Sequence, residues 1–220
     1  MRQRLARIEE ALAVRLGSAD VREDGSRERD RRPQHPGIRP GRVRGGVVTA
    51  GGGPPAGVTA LALDRLEKTA FGESGTVELL VVSPRPGEHR IVDEIHVIPG
   101  VGVLGDHDGK QVWRGARVPG REISAINAEV LEALGIPPAA PGDNLIIRGI
   151  DLRAIPPGMI LLIGDLPVRR TAAAHRPCRL FRDRTSGIAF QIAARGWRGA
   201  LFDALTKGTI RAGDPVRFEV

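Results

Sequence analysis

The spacing of apolar positions changes several times along the chain, and each change marks a predicted element. Over residues 3–16 (QRLARIEEALAVRL), Leu5, Ile8, Leu12 and Leu16 recur at helical intervals, which predicts a short amphipathic helix. From 17 to 57 the pattern stops. Mixed charge, Gly and Pro dominate there and large apolar side chains are few. Such a segment cannot bury enough surface to offset its ordering entropy, so it is expected to be disordered. Residues 59–70 (TALALDRLEKTA) return to helical spacing through Leu61, Leu63 and Leu66. The runs 76–82 and 90–98 are β-rich and separated by the turn signal Ser83-Pro84-Arg85-Pro86-Gly87. Residues 122–135 (EISAINAEVLEALG) read as a helix, with Ile123, Ile126, Val130 and Leu134 on one face and Gly135 as its C-cap.

The remaining apolar runs are short. DNLIIRG, MILLIGD, LPVRRTAA and DPVRFEV read as strands punctuated by Gly, Pro and Asp, whereas AFQIAARGW and ALFDALTKG fit either a strand or a short helix. Many short strands with few helices predict a mostly β fold with a few short helices, a compact, largely antiparallel barrel or sandwich. The expected organisation is a leader over 1–57, a helical lead-in over 58–73 and a β-rich domain over 74–220. A chain beginning near Val58 would lose nothing from that core. Internal repeats and the phosphate loop GxxxxGK[ST] are absent from the sequence.

Charge adds a second distinction between leader and body. The net charge of +7 invites a nucleic-acid reading. Residues 1–45, however, hold 12 Arg against 7 acids, whereas 46–220 hold 21 basic and 19 acidic residues. A basic interaction arm is therefore confined to the leader, and nucleic acid is not expected to bind the body. Seven acids in that leader also disfavour a mitochondrial presequence. Tyr is absent and aromatics are 3%, which argues against base-stacking platforms. No apolar run is long enough to span a membrane and no secretory signal follows Met1, so a cytoplasmic location is expected. One cysteine excludes an intrachain disulfide and any multi-cysteine metal site.

That cysteine, Cys178, stands in His175-Arg176-Pro177-Cys178-Arg179. A lone cysteine commonly serves as a small buried hydrophobe. Here Arg169, Arg170, Arg176, Arg179, Arg182 and Arg184 crowd it, and positive charge favours the reactive thiolate. Pro177 pins the approach to it. A thiolate in such a setting attacks electrophilic sulfur, carries a persulfide or ligates a soft metal, and the spacing His175-x-x-Cys178 offers two metal ligands. Gly100-Val-Gly102-Val-Leu-Gly105-Asp106-His107-Asp108-Gly109-Lys110 is a glycine-rich loop, either a tight turn or a close backbone approach to a ligand. In it Asp106 and His107 could orient each other, with Lys110 and Arg114 adding positive charge. Pro141-Gly142-Asp143-Asn144-Leu145 has turn composition. Bonding of Asp143 and Asn144 to the loop backbone is its simpler reading, and a polar pair at a pocket rim is the functional one.

Taken in order, these pieces resemble the MOSC domain, the C-terminal domain of molybdenum cofactor sulfurases, which also occurs as a stand-alone protein. The matching elements are Val77–Val82 with Arg85-Pro86-Gly87, Gly102-x-x-Gly105-Asp106-His107, Ile126-Asn127-Ala128-Glu129, and Pro141-Gly142-Asp143-Asn144-Leu145 with Gly149-x-Asp151-Leu152. Pro157-Gly158-x-x-Leu161-x-Ile163-Gly164, Pro177-Cys178 and Gly208-Thr209-Ile210-Arg211-x-Gly213-Asp214-x-Val216 complete the series. The resemblance spans about residues 74–220. It departs in Gly142-Asp143-Asn144, where the family often has Gly-Glu-Asn, and in the brief stretch after Asp106, where the family's loop is longer.

The resemblance implies a MOSC-like β-barrel with a cleft near the Pro-Cys turn that binds molybdenum cofactor (molybdopterin or its metal). It implies that Cys178 carries sulfur or ligates molybdenum, a sulfurtransferase type of activity. The residues it places around the ligand are Gly105, Asp106, His107, Lys110, Arg114, Asp143, Asn144, His175, Arg176 and Arg179. The pyridoxal-phosphate desulfurase domain of the sulfurases has no counterpart in the upstream residues, so a separate sulfur donor or a molybdoenzyme is the implied partner. The alternative is a non-catalytic module that binds an anionic ligand or cofactor and delivers it to an enzyme.

Overall fold

The computed structural model describes residues 56–113 and 116–219. The expected helix over 3–16 lies outside them, as does the expected disorder over 17–57 apart from its last two residues. Those two, Ala56 and Gly57, open a helix, α1, that runs Ala56–Glu67. Its Leu63 and Leu66 are buried, whereas Leu61 is exposed.

Thirteen strands follow among the described residues. β1 (Ser74–Arg85) and β2 (Glu88–Val92) form a hairpin about Pro86-Gly87. β3 (Glu94–Ile98) and β4 (Gly102–Val103) pair next, then a 3-10 turn over Asp108–Gln111 leads to β5 (Val112–Trp113) and β6 (Ala116–Arg117). The remainder are β7 (Ile123–Asn127), β8 (Leu145–Arg148), β9 (Ile160–Ile163), β10 (Leu166–Arg170), β11 (Ala200–Ala204), β12 (Gly208–Arg211) and β13 (Pro215–Phe218). Three short helices lie among them: α2 (Ala128–Leu134), α3 (Arg179–Arg184) and α4 (Gly187–Ile192), the last continuing into a π-type turn over Ala193–Trp197.

The strand order β13-β9-β10-β11-β7-β8-β1, with β13 pairing back to β1, closes a seven-stranded barrel. The length of β1 allows the closure. One side of the strand pairs with β8 along Thr76–Leu80, while the other pairs with β13 at Ser74–Thr76 and with β2 from Leu80 to Arg85. All barrel pairings are antiparallel except β7 with β8. A three-stranded sheet, β12-β3-β4, completes the β structure together with the β5–β6 pair. Among the described residues no helix is long and apolar enough to cross a membrane.

Two apolar clusters account for the strand patterns. Val77, Leu80, Ile123, Ala125, Leu145, Ile147, Leu161, Val168 and Phe202 belong to one. Leu66, Ile126, Leu131, Ile146, Phe181, Ile192 and Trp197 belong to the other, where the helices pack on the outside of the barrel. Adjacent residues of β7 and β8 fall alternately into the two clusters, so both faces of these strands are covered. Strands covered on both faces read as continuous apolar runs.

This double burial corrects the helix expected over 122–135. Ile123–Asn127 is strand β7, paired with β11 and β8, and only Ala128–Leu134 is helical. The apolar residues of a strand covered on both faces merge with the periodicity of the helix that follows it. Gly135 takes the expected left-handed C-cap (φ 62°), with Ile136 N–H donating to the carbonyl of Leu131 at 2.8 Å. AFQIAARGW is helical and ALFDA is strand β11.

Candidate functional site

Polar side chains from five separate segments converge on Asp143. The Gly142-Asp143-Asn144 turn enters β8, and both its polar side chains are buried, Asp143 to 1% exposure. Arg198, just ahead of β11, donates from Nη1 to Asp143 Oδ2. His175 Nε2 lies 3.4 Å from Asp143 Oδ1, just beyond a good hydrogen bond. The guanidinium of Arg198 also covers the ring of Phe181 on α3, 4.4 Å from its centroid. Asp143 therefore engages two side chains, and not the loop backbone that the turn composition suggests.

Asn144 fastens the neighbouring segments. Its Oδ1 accepts from the Ser124 backbone N–H (3.2 Å) and hydroxyl (3.1 Å), and its Nδ2 donates to Asp106 Oδ2 (2.8 Å) and the Val81 carbonyl (3.3 Å). Asp106 in turn accepts from the Ser83 N–H at 2.6 Å and from Lys110 Nζ at 2.8 Å. The carboxylate is thus occupied by Ser83, Lys110 and Asn144, and His107 instead donates its backbone N–H to the Ser83 carbonyl at 2.8 Å. This replaces the mutual orientation of Asp106 and His107 read from their adjacency. Gly105 takes φ +95°, a conformation that leads the chain into this turn. Gly105, Asp106 and His107 line a cavity of about 120 Å³ with Val101, Leu104 and Gln111.

A second pair closes the cluster. Arg184, at the end of α3, lies 3.0 Å from His89 Nε2 on β2. Gly142 packs against both: a Cβ there would fall 2.7 Å from His89 Nε2 and 3.2 Å from Arg184 Nη1. The turn that presents Asp143 therefore requires glycine for space as well as for its positive φ of 78°.

The electrostatics follow from burial among cations. Burial opposes ionisation of Asp143, but Arg198, through its charge and its hydrogen bond, and Lys110 overcome it and hold its carboxyl below the usual carboxylate range. Burial is also the main influence on His175, with Arg198 next, and together they push it down to about 3 against the pull of Asp143. At neutral pH the imidazole is uncharged, so Arg198 is the direct partner that keeps Asp143 ionised. Burial lowers Lys110, with Asp106 opposing. Lys110, Arg184 and Arg198 thus surround Asp106 and Asp143, with Arg121 and Arg170 within electrostatic reach of His175. Several polar atoms here are buried without a hydrogen-bond partner: Asp143 Oδ1, His175 Nδ1, Arg198 Nε and Arg170 Nε.

Of the residues expected at a site, the structure brings Asp106, Lys110, Asp143, Asn144 and His175 together. Cys178 is exposed and is the N-cap residue of α3, three positions beyond His175. Exposure excludes its reading as a buried hydrophobe. Arg176 and Arg179 are exposed as well, and Arg179 approaches Asp183 at 3.5 Å. Arg114 lies outside the described residues. Arg198 and His89 are not picked out from sequence, and Arg184 figures there only among the arginines near Cys178. For Arg198 the signal was Gly196-Trp197-Arg198-Gly199, an arginine between a core tryptophan and a glycine. A Cβ at Gly199 would fall 2.0 Å from the carbonyl oxygen of Ala125. Among the described residues no group of three or more His, Cys, Asp and Glu side chains is disposed to hold a bare metal ion.

Comparison with known proteins gives a consistent placement. No curated protein matches the sequence. The YuaD protein of Bacillus subtilis has a similar structure, with 19% identity over 65% of this chain and 94% of its own and a TM-score of 0.51. YiiM of Escherichia coli is similar over 66% of this chain and 70% of its own, with 19% identity and a TM-score of 0.46. At such identity the likeness to YuaD speaks for the fold alone. The family model described as the MOSC domain matches residues 117–217, a span that contains Asp143, Asn144, His175, Cys178 and Arg198. Residues 117–217, which hold most strands of the closed barrel, thus match the MOSC domain.

Proposed function

We propose that this protein binds molybdenum cofactor at the Asp143 cluster and carries sulfur on Cys178. The observation that carries the reading is the set of buried, unpartnered guanidinium nitrogens of Arg170 and Arg198 beside Lys110, Arg121 and Arg184. A buried donor without a partner costs about 1–3 kcal/mol, so this arrangement favours an anionic ligand. Planar guanidinium groups suit the phosphate and dithiolene charges of a pterin cofactor, so the residues present fit that group. When bound, the cofactor supplies a molybdenum centre. Arg170, Arg198 and Lys110 bind and orient the anion, and the uncharged His175 contributes Nδ1 as a neutral polar contact.

Cys178 takes sulfur from a persulfide-bearing donor. Its thiolate attacks the terminal sulfur, the donor's S–S bond breaks, and the donor leaves as a thiolate while Cys178 holds the persulfide. The exposure of Cys178 supports access by such a donor. The contrast between the exposed thiol and the buried cluster also favours a second reading, a module that binds an anionic cofactor and delivers it to an enzyme without using the cysteine.

The test is the protein purified from a host that makes molybdenum cofactor, assayed for pterin, molybdenum and persulfide. Pterin in the wild type and in Cys178→Ala, with persulfide in the wild type alone, is the expected result. Pterin in both with persulfide in neither selects the delivery module. Absence of all three in both proteins overturns the proposal.

A further inference from the structure

The pair formed by His89 and Arg184 has a specific geometry. A guanidinium only donates hydrogen bonds, so His89 Nε2, 3.0 Å from Arg184 Nη1, must present its lone pair. The proton then sits on the other ring nitrogen, and the ring donates to the backbone carbonyl of Ala139. This contact exists only for the neutral imidazole. A second proton would place a cation against Arg184.

Arg184 is the last residue of α3, and Cys178 is the N-cap residue of that helix. The helix has six residues, about 9 Å of axial length, so whatever holds Arg184 also bears on the seat of Cys178. A second anchor, Phe181, lies beneath Arg198. We propose that His89 is a positioning residue: its neutral ring fastens α3, and with it Cys178, to the Asp143 cluster, and its protonation releases the helix. The groups that bear on His89 are Arg184 on α3, Lys110 on the 3-10 turn and Asp143 on the turn before β8. On its own strand, Glu88 and Arg90 pair with each other. Burial and then Arg184 lower the pKa of His89, Lys110 adds to this, and the Ala139 carbonyl and Asp143 oppose it. The fastened state is therefore the one present at neutral pH, and release comes on acidification below 6.5.

The single cysteine makes the test clean. Alkylation of Cys178 by iodoacetamide is followed by mass spectrometry from about pH 5 to about pH 8 in wild type, His89→Gln and His89→Phe, with no cofactor added. Glutamine retains an acceptor for Arg184 and does not titrate, and dividing by its rate removes the titration of the thiol itself. The wild-type to His89→Gln ratio is expected near one at the alkaline end. It should rise by up to about tenfold in acid, the ratio that one unit of pKa coupling supplies. His89→Phe should label fast throughout. A flat ratio, with His89→Phe matching His89→Gln, overturns the proposal.

Should either variant fail to fold, hydrogen exchange of the wild type decides. The amides of Arg182 and Thr185, bonded to the carbonyls of Cys178 and Phe181, should lose protection in acid beyond the intrinsic pH effect. Unchanged protection overturns the proposal. Neither measurement needs a bound pterin, so failure of the cofactor reading leaves both readable.

Discussion

Arg198 donates to Asp143 in a setting where the two side chains keep 8% and 1% of their exposure. Two opposite charges held this far from water depend on each other. Removing one partner of a buried ion pair typically costs about 3–5 kcal/mol, because the other charge is left uncompensated. Arg198→Ala is therefore expected to destabilise the protein by about that amount and to raise the pKa of Asp143. Urea denaturation near neutral pH checks the first effect. The second appears as a smaller deficit in acid, where the stranded carboxylate is protonated.

Asn144 ties three segments together through Ser124, Val81 and Asp106. Asn144→Ala removes a donor and an acceptor and leaves buried partners behind, at a cost of about 1–3 kcal/mol for each unsatisfied group. Asn144→Asp tests sign as well as shape. It keeps the acceptor toward Ser124 but sets a second carboxylate against Asp106, which Asn144 Nδ2 contacts at 2.8 Å. Asn144→Asp should recover stability on mild acidification, and Asn144→Ala should not; thermal melts across pH separate the two.

Legibility differed between these features for physical reasons. Strands β9, β10 and β13 are legible as short apolar runs punctuated by Gly, Pro and Asp. β7 is not, because Ile123 and Ala125 enter one apolar cluster and Ile126 the other, erasing the period of two. The chemistry of Asp106, Asp143, Asn144 and His175 was visible as residue types at loop positions, but their partners were not. Arg198 lies 55 positions from Asp143, and Arg184 lies 95 from His89, so each contact exists only once the barrel closes. Cys178 was conspicuous as a singleton, yet its exposure depends on where α3 begins.

His175 gives a pH dependence with a definite sign. Its pKa falls from 6.5 in a free side chain to about 3 when folded, first through burial and then through Arg198. Between those values the unfolded chain binds a proton that the native protein does not, so stability rises with pH across this window. The contribution is fully present above 6.5 and is lost as pH falls toward 3. The expected slope from this group is about 1.4 kcal/mol per pH unit. His175→Phe, which cannot titrate, should flatten the urea-midpoint profile in this range; an unchanged slope would show that His175 is not buried neutral.

Gly142 combines two constraints that substitution can separate. Its φ of +78° is costly for any residue with a Cβ, by about 1–2 kcal/mol. That Cβ would also sit 2.7 Å from His89 Nε2 and 2.8 Å from its Cε1. Gly142→Ala should therefore lose more stability than the backbone penalty alone. In a His89→Ala background the imidazole is gone and only the backbone term and the looser 3.2 Å approach to Arg184 Nη1 persist. The double-mutant cycle should show a coupling of about 0.5–3 kcal/mol between the two positions, with Gly142→Ala milder in the His89→Ala protein. Additive losses would mean that the turn carrying Asp143 can shift away from β2 without strain, and that His89 does not shape the seat of the carboxylate.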